Sequence, residues 1–112
     1  MIIEIDPIYH LLVYWVMPWA VLLTSNVRKS LKRLPRSIDE IFQYLLAEMR
    51  LSGPVQADWP HYGKLRSDCY HCHLLRGRPT YVAVWRVLSK KDKIIEVTYV
   101  GSHEKARYGR LC

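Results

Sequence analysis

Nine consecutive residues, Tyr70-His71-Cys72-His73-Leu74-Leu75-Arg76-Gly77-Arg78, place two histidines two positions apart and run directly into two arginines. Imidazole titrates near neutrality and serves as general base or general acid. Arginine keeps its charge throughout a reaction and offers forked donors to phosphate oxygens. A second run, Ser102-His103-Glu104-Lys105-Ala106-Arg107-Tyr108, adds a third histidine, two more cations and a phenol. A phenol stacks on a base or donates a proton. Proton-transfer groups beside permanent positive charge suit the binding and breaking of a phosphodiester. Other templates fit poorly. No glycine-rich phosphate loop precedes a helix, and no nucleophile elbow is present. Asp68, Glu96 and Glu104 are the few carboxylates near the cluster, too few for carboxylate–metal nuclease chemistry.

Charge agrees with that chemistry. The 112-residue chain carries a formal net charge of +7. Residues 1–59 hold six Lys/Arg and six Asp/Glu, so the whole excess lies in residues 60–112, with the histidines. A basic surface of this kind attracts polyanions at long range. Three cysteines form an odd set without framework spacing, which predicts reduced thiols and a cytoplasmic protein. Cys69-x-x-Cys72 beside two histidines resembles half of a zinc site, but strand alternation turns Cys72 away from His71 and His73. No metal or other cofactor is expected.

These residues need elements to position them. The length suits one compact domain. Ile8–Leu23 is an apolar run shorter than the roughly 20 residues of a membrane-spanning helix, with His10 and Pro18 inside it. Glu4 and Asp6 oppose a signal peptide, which begins with a basic region. A membrane anchor is therefore not expected. With a break at Met17-Pro18, Trp19–Thr24 reads as a buried strand and residues 1–17 as an N-terminal extension. Ser25 caps a first helix through about Leu34, which Pro35 ends. Ser37-Ile38-Asp39-Glu40 reads as a capping box for a second helix with apolar residues at Ile38, Ile41, Phe42, Leu45, Leu46 and Met49. Gly53-Pro54 stops it, and the two helices form an αα-hairpin. Residues 54–68 read as a loop. Strands follow at Cys69–Leu75, Thr80–Leu88 and Lys93–Val100, joined by the short turns Arg76–Pro79 and Ser89–Asp92. The expected fold is α+β, in the order β-α-α-β-β-β. A small sheet of about four strands, antiparallel but mixed where the first strand joins, packs against the helical hairpin. On Cys69–Leu75 the apolar set Tyr70, Cys72 and Leu74 faces the helices. His71 and His73 then share the open face, about 7 Å apart. Gly101 lets the chain bend after the last strand, bringing His103 and Tyr108 beside that face.

In this order of elements, and in several stretches, the chain resembles the RelE/ParE superfamily of bacterial toxins from type II toxin–antitoxin systems. The stretches are Lys29-Ser30-Leu31-Lys32-Arg33-Leu34-Pro35, Lys64-Leu65 ahead of Tyr70-His71-Cys72-His73-Leu74, Tyr81-Val82-Ala83-Val84-Trp85-Arg86-Val87, and Ile95-Glu96-Val97-Thr98-Tyr99-Val100-Gly101-Ser102-His103. The likeness spans roughly Trp19–Tyr108 and implies a RelE-like domain over residues 18–112. The RelE branch implies a metal-independent mRNA interferase acting in the ribosomal A site. In that chemistry the RNA's own 2′-OH attacks the adjacent phosphate and leaves a 2′,3′-cyclic phosphate.

Carried over to this chain, His71 or His73 takes the 2′-OH proton, Arg78 or Arg76 steadies the phosphorane, and His103 or Tyr108 protonates the leaving 5′ oxygen or stacks a base. Lys64, Arg76, Lys105 and Arg107 dock RNA. The family's arginine at the start of the second meander strand is absent here, where Tyr81-Val82 stands, so the cation must come from the turn. The implied partners are mRNA, the ribosome and a cognate antitoxin, with Trp19, Trp59 and residues 1–17 as contact points. Two other functions stay open: a ParE-like DNA gyrase inhibitor and a non-catalytic RNA-binding module. An inactive, degenerate toxin is a third outcome.

Overall fold

The computed structural model describes residues 17–75 and 79–112. Residues 1–16 of the expected 1–17 extension and the expected turn residues Arg76 and Arg78 lie outside the described residues. The elements run β1 (Ala20–Leu23), α1 (Ser25–Leu31), α2 (Arg36–Ser52), β2 (Gly63–Arg66), β3 (Cys69–Leu75), β4 (Tyr81–Ser89) and β5 (Ile94–Ser102), followed by two short 3₁₀ turns at His103–Lys105 and Tyr108–Arg110. The fold is α+β, with a five-stranded mixed sheet in the order β1-β5-β4-β3-β2. β1 pairs parallel to β5, and every other neighbour is antiparallel.

Several local expectations are corrected. The cap of α1 is Thr24, whose Oγ1 accepts the Val27 amide at 3.2 Å, and α1 stops at Leu31 rather than Leu34. The capping box at Ser37 does not form. α2 begins two residues earlier than that box would place it, at Arg36 behind Pro35, and Glu40 pairs instead with Arg36 one turn back at 3.2 Å. Pro35 supplies a fixed φ and needs no amide partner, which displaces the serine from the capping position. β1 is an edge strand with alternating exposure, not a buried one. Residues 54–68 contain a strand, β2, that closes the other edge.

The core lies between the helices and one face of the sheet. Ile38, Phe42, Leu45, Leu46 and Met49 of α2 meet Tyr70, Cys72 and Leu74 of β3, Ala83 and Trp85 of β4, and Ile95, Val97 and Val100 of β5. Each large apolar side chain buried this way contributes about 1.5–3 kcal/mol. Trp85 is fully buried, and its indole N–H donates to the Pro54 carbonyl at 2.9 Å. Cys72 sits in this core, and burial pushes its thiol pKa up to about 12. Among the described residues no helix is long and apolar enough to cross a membrane.

A candidate active site on the second face of the sheet

Strand alternation places His71 and His73 opposite Tyr70, Cys72 and Leu74, on the face away from the helices. Their partners across the ladder are Val84 and Val82 of β4. Both valines are fully buried although they stand outside the helix-side core. The second face is therefore covered rather than open, and residues 103–112 lie against it. Thr98 Oγ1 donates to the Leu111 carbonyl at 2.8 Å. Arg86 Nη1 donates to the Cys112 carbonyl at 3.3 Å, while its Nε and Nη2 hold Glu96 Oε1 at 3.0 and 2.8 Å.

The expectation of reduced thiols is overturned here. Cys69 and Cys112 form a disulfide, with Cα atoms 5.6 Å apart. The sequence separates them by 43 residues, a distance that hides the pairing. Space joins them because the odd-numbered residues of β3 face the returning segment. Cys72, on the other face, is left as the buried free thiol.

The returning segment brings the expected proton-transfer groups together. The His71 ring centroid lies 5.8 Å from that of Tyr108, Tyr108 lies 6.0 Å from His103, and His103 lies 5.6 Å from His73, each pair edge to face. With the two histidines already neighbours on β3, four rings close a circuit. Its position is fixed by the His103 amide, which donates to the Thr80 carbonyl at 2.7 Å. Gly101 acts differently from expectation: it leaves space rather than making a bend. A Cβ there would stand 2.8 Å from the Tyr99 hydroxyl, which reaches over Gly101 to donate to the Ser102 carbonyl at 2.7 Å.

Sequence reasoning missed a fourth imidazole, His61, which stacks on His73 at 4.2 Å with 28° between the rings. Gly63 pairs with His71 in the antiparallel β2–β3 ladder, so continuing the register two residues puts position 61 opposite position 73. The His73 amide donates to the Pro60 carbonyl at 2.7 Å and ties that corner down. His61 itself has φ of 52°, a left-handed conformation that a non-glycine residue adopts only when its surroundings impose it. Recognising β2 in the sequence would have revealed it.

Electrostatics divides the roles. His71 is held below the ordinary imidazole pKa, first by burial and then by His61 and His103 nearby. It is a neutral base at neutral pH. Its Nδ1 is buried and meets no hydrogen-bond partner among the described residues. Burial, and secondarily Tyr99, raises the Tyr108 pKa, so the phenol keeps its proton. An unprotonated imidazole thus faces a protonated phenol. Lys105 and Arg107 lie exposed on the same returning segment. Lys105, Arg33, Tyr81 and Tyr99 also line a cleft of about 480 Å³ beside the cluster. Lys64 does not join the site: it pairs with Tyr70, and its Nζ lies 5.9 Å from that ring's centroid, toward the helix side. A larger cleft at the end of α2 is lined by Tyr44, Glu48, Asp58 and Trp59, and its carboxylates oppose a polyanion. Among the described residues no group of three or more His, Cys, Asp or Glu is arranged to hold a metal.

No family model matches the chain, and no curated protein matches it. Solved structures do. A mutant of the E. coli toxin RelE in the free state superposes with a TM-score of 0.65 at 24% identity, covering 85% of this chain and 94% of that one. The archaeal RelE–RelB complex from Pyrococcus horikoshii superposes at 0.62 and 19% identity, covering 80% and 100%. The toxin–antitoxin complex RelBE2 from Mycobacterium tuberculosis superposes at 0.56 and 19% identity, covering 77% and 99%. The fold of this chain is RelE-like.

Proposed function

We propose that this RelE-like chain is the toxin of a type II toxin–antitoxin system and acts as a metal-independent endoribonuclease on mRNA at the ribosome. The reading rests on the circuit of His71, Tyr108, His103 and His73, in which a neutral imidazole confronts a phenol that keeps its proton. His71 removes the 2′-OH proton, and the resulting alkoxide attacks the adjacent phosphorus. Tyr108 or His103 gives a proton to the departing 5′ oxygen, leaving a 2′,3′-cyclic phosphate. Arg78 or Arg76, with Lys105 and Arg107, supplies positive charge for the phosphorane and the flanking phosphates. The toxin and toxin–antitoxin names of the solved neighbours support an antitoxin partner. The cluster favours this over gyrase poisoning, which has no use for paired acid–base groups.

The test is expression, in bacteria whose cytoplasm is oxidising enough to keep the Cys69–Cys112 disulfide, of the wild type, His71→Ala, and the double variant His73→Ala with His103→Ala. Primer extension maps breaks in ribosome-bound mRNA. Growth arrest with cyclic-phosphate ends, lost in the variants and unaffected by a chelator, supports the reading. Equal arrest by all three proteins removes these residues from the mechanism. Arrest with intact mRNA and altered DNA supercoiling replaces it with the gyrase reading.

A further inference from the structure

We propose that Cys69 and Cys112 are positioning residues for Tyr108, and that the site is therefore assembled in the oxidised chain and dismantled by a dithiol reductant. This inference deepens the nuclease reading and rests on it for its consequence in catalysis. Three observations carry it. First, the disulfide joins the start of β3, the strand that bears His71 and His73, to the segment that bears His103 and Tyr108. One covalent link thus spans both halves of the circuit. Second, among the described residues the other hydrogen bonds of residues 106–112 are few: the Thr98 hydroxyl on Leu111 and the Arg86 guanidinium on Cys112, with three short turn bonds, Ala106 to His103, Arg110 to Arg107 and Leu111 to Tyr108. Among the described residues no ladder of backbone bonds holds Tyr108 against His71. Third, the third thiol does not compete. Cys72 lies across the sheet, buried, with a pKa of about 12, so it is neither placed nor ionised to exchange with the pair.

The two sulfurs differ in access: Cys69 is 1% exposed, whereas Cys112 is partly exposed. A reductant thiolate attacks Cys112 Sγ, and the electron pair of the S–S bond leaves on Cys69 Sγ, which takes up a proton. The reductant's second thiolate then attacks its own sulfur in the mixed disulfide and releases Cys112 as a thiol. Overall, the dithiol loses two electrons and two protons, and the two cysteines gain them. The freed segment then moves Tyr108 away from His71 and uncovers Val82 and Val84.

The test uses the full chain, prepared oxidised or reduced with dithiothreitol, and the variant Cys112→Ser. Hydrogen–deuterium exchange of residues 106–112 reads the segment directly. The expected result is exchange at least tenfold faster in the reduced chain and in the variant than in the oxidised chain. Cleavage of ribosome-bound mRNA reads the site. Tyr108→Phe should lower cleavage about tenfold or more in the oxidised chain. Combined with Cys112→Ser it should have no further effect, whereas a purely stabilising disulfide would leave the Tyr108→Phe effect intact. Equal exchange in both redox states overturns the proposal, as does a full Tyr108→Phe effect in the Cys112→Ser background. If no form cleaves RNA, the nuclease reading falls while the exchange rates still decide whether the disulfide positions the segment.

Discussion

At the scale of residues, His71 sits where three influences meet: partial burial, the neighbouring imidazoles His61 and His103, and the Tyr108 phenol 5.8 Å away. Burial withholds solvent from an imidazolium, and neighbouring histidines repel it, so its folded pKa lies below the ordinary value of about 6.5. Two outcomes follow from that sign. Cleavage should lose its base only as pH falls below about 6.5, so the acidic limb of the rate profile lies on the acid side of ordinary histidine. The unfolded chain also binds more protons at this residue than the folded chain, between the lowered folded pKa and the unfolded one. Stability should therefore rise with pH through that window and be lost as pH falls through it. Thermal melts at pH 5 and pH 7.5, compared between wild type and His71→Gln, measure this. A wild-type difference no larger than the variant's would remove His71 as its source.

At the scale of elements, α2 binds the sheet through one stripe, and Phe42 lies at its centre, fully buried. Phe42→Ala should cost about 3–5 kcal/mol in urea unfolding. Leu51→Ala on the exposed side of the same helix, 85% exposed, should stay within about 0.5 kcal/mol. The end of α2 offers a sharper test. Gly53 has φ of +86°, and a Cβ there would meet Trp19 Nε1 at 2.9 Å. Gly53→Ala should therefore destabilise by more than about 1 kcal/mol, with a shift in tryptophan fluorescence as the Trp19 ring moves. The same elements show what was legible in the sequence. The apolar stripe of α2 and the alternation of β3 are local patterns, so the core side and the histidine side were readable. β2 was not, because Gly63–Arg66 has neither length nor apolar alternation and exists through its pairing with β3. His61, the covered second face and the Cys69–Cys112 pair were hidden for the same reason: each depends on contacts between segments far apart in the chain.

At the scale of the whole molecule, the charge excess lies in residues 60–112, the half that builds β3, β4, β5 and the returning segment. RNA affinity should then fall steeply with salt, with a logarithmic slope of about −0.7 per phosphate contacted on a single strand. Lys105→Ala and Arg107→Ala should each flatten the slope by about 0.7, read by fluorescence anisotropy across a salt series, and Lys64→Ala should not, since Lys64 lies toward the helix side. The parallel pairing of β1 with β5 also sets a timetable for the chain's biosynthesis. Ala20 finds its neighbour in Ile94, so the ribosome must deliver about 70 more residues before the first strand has anywhere to dock. At about 5–20 residues per second that wait is roughly 4–14 s. Throughout it the nascent chain lacks the sheet's β5 neighbour and the Tyr108 that completes the circuit. If the finished protein attacks translation, this topology protects the ribosome that is making it, because the site stays incomplete until Tyr108 has been added.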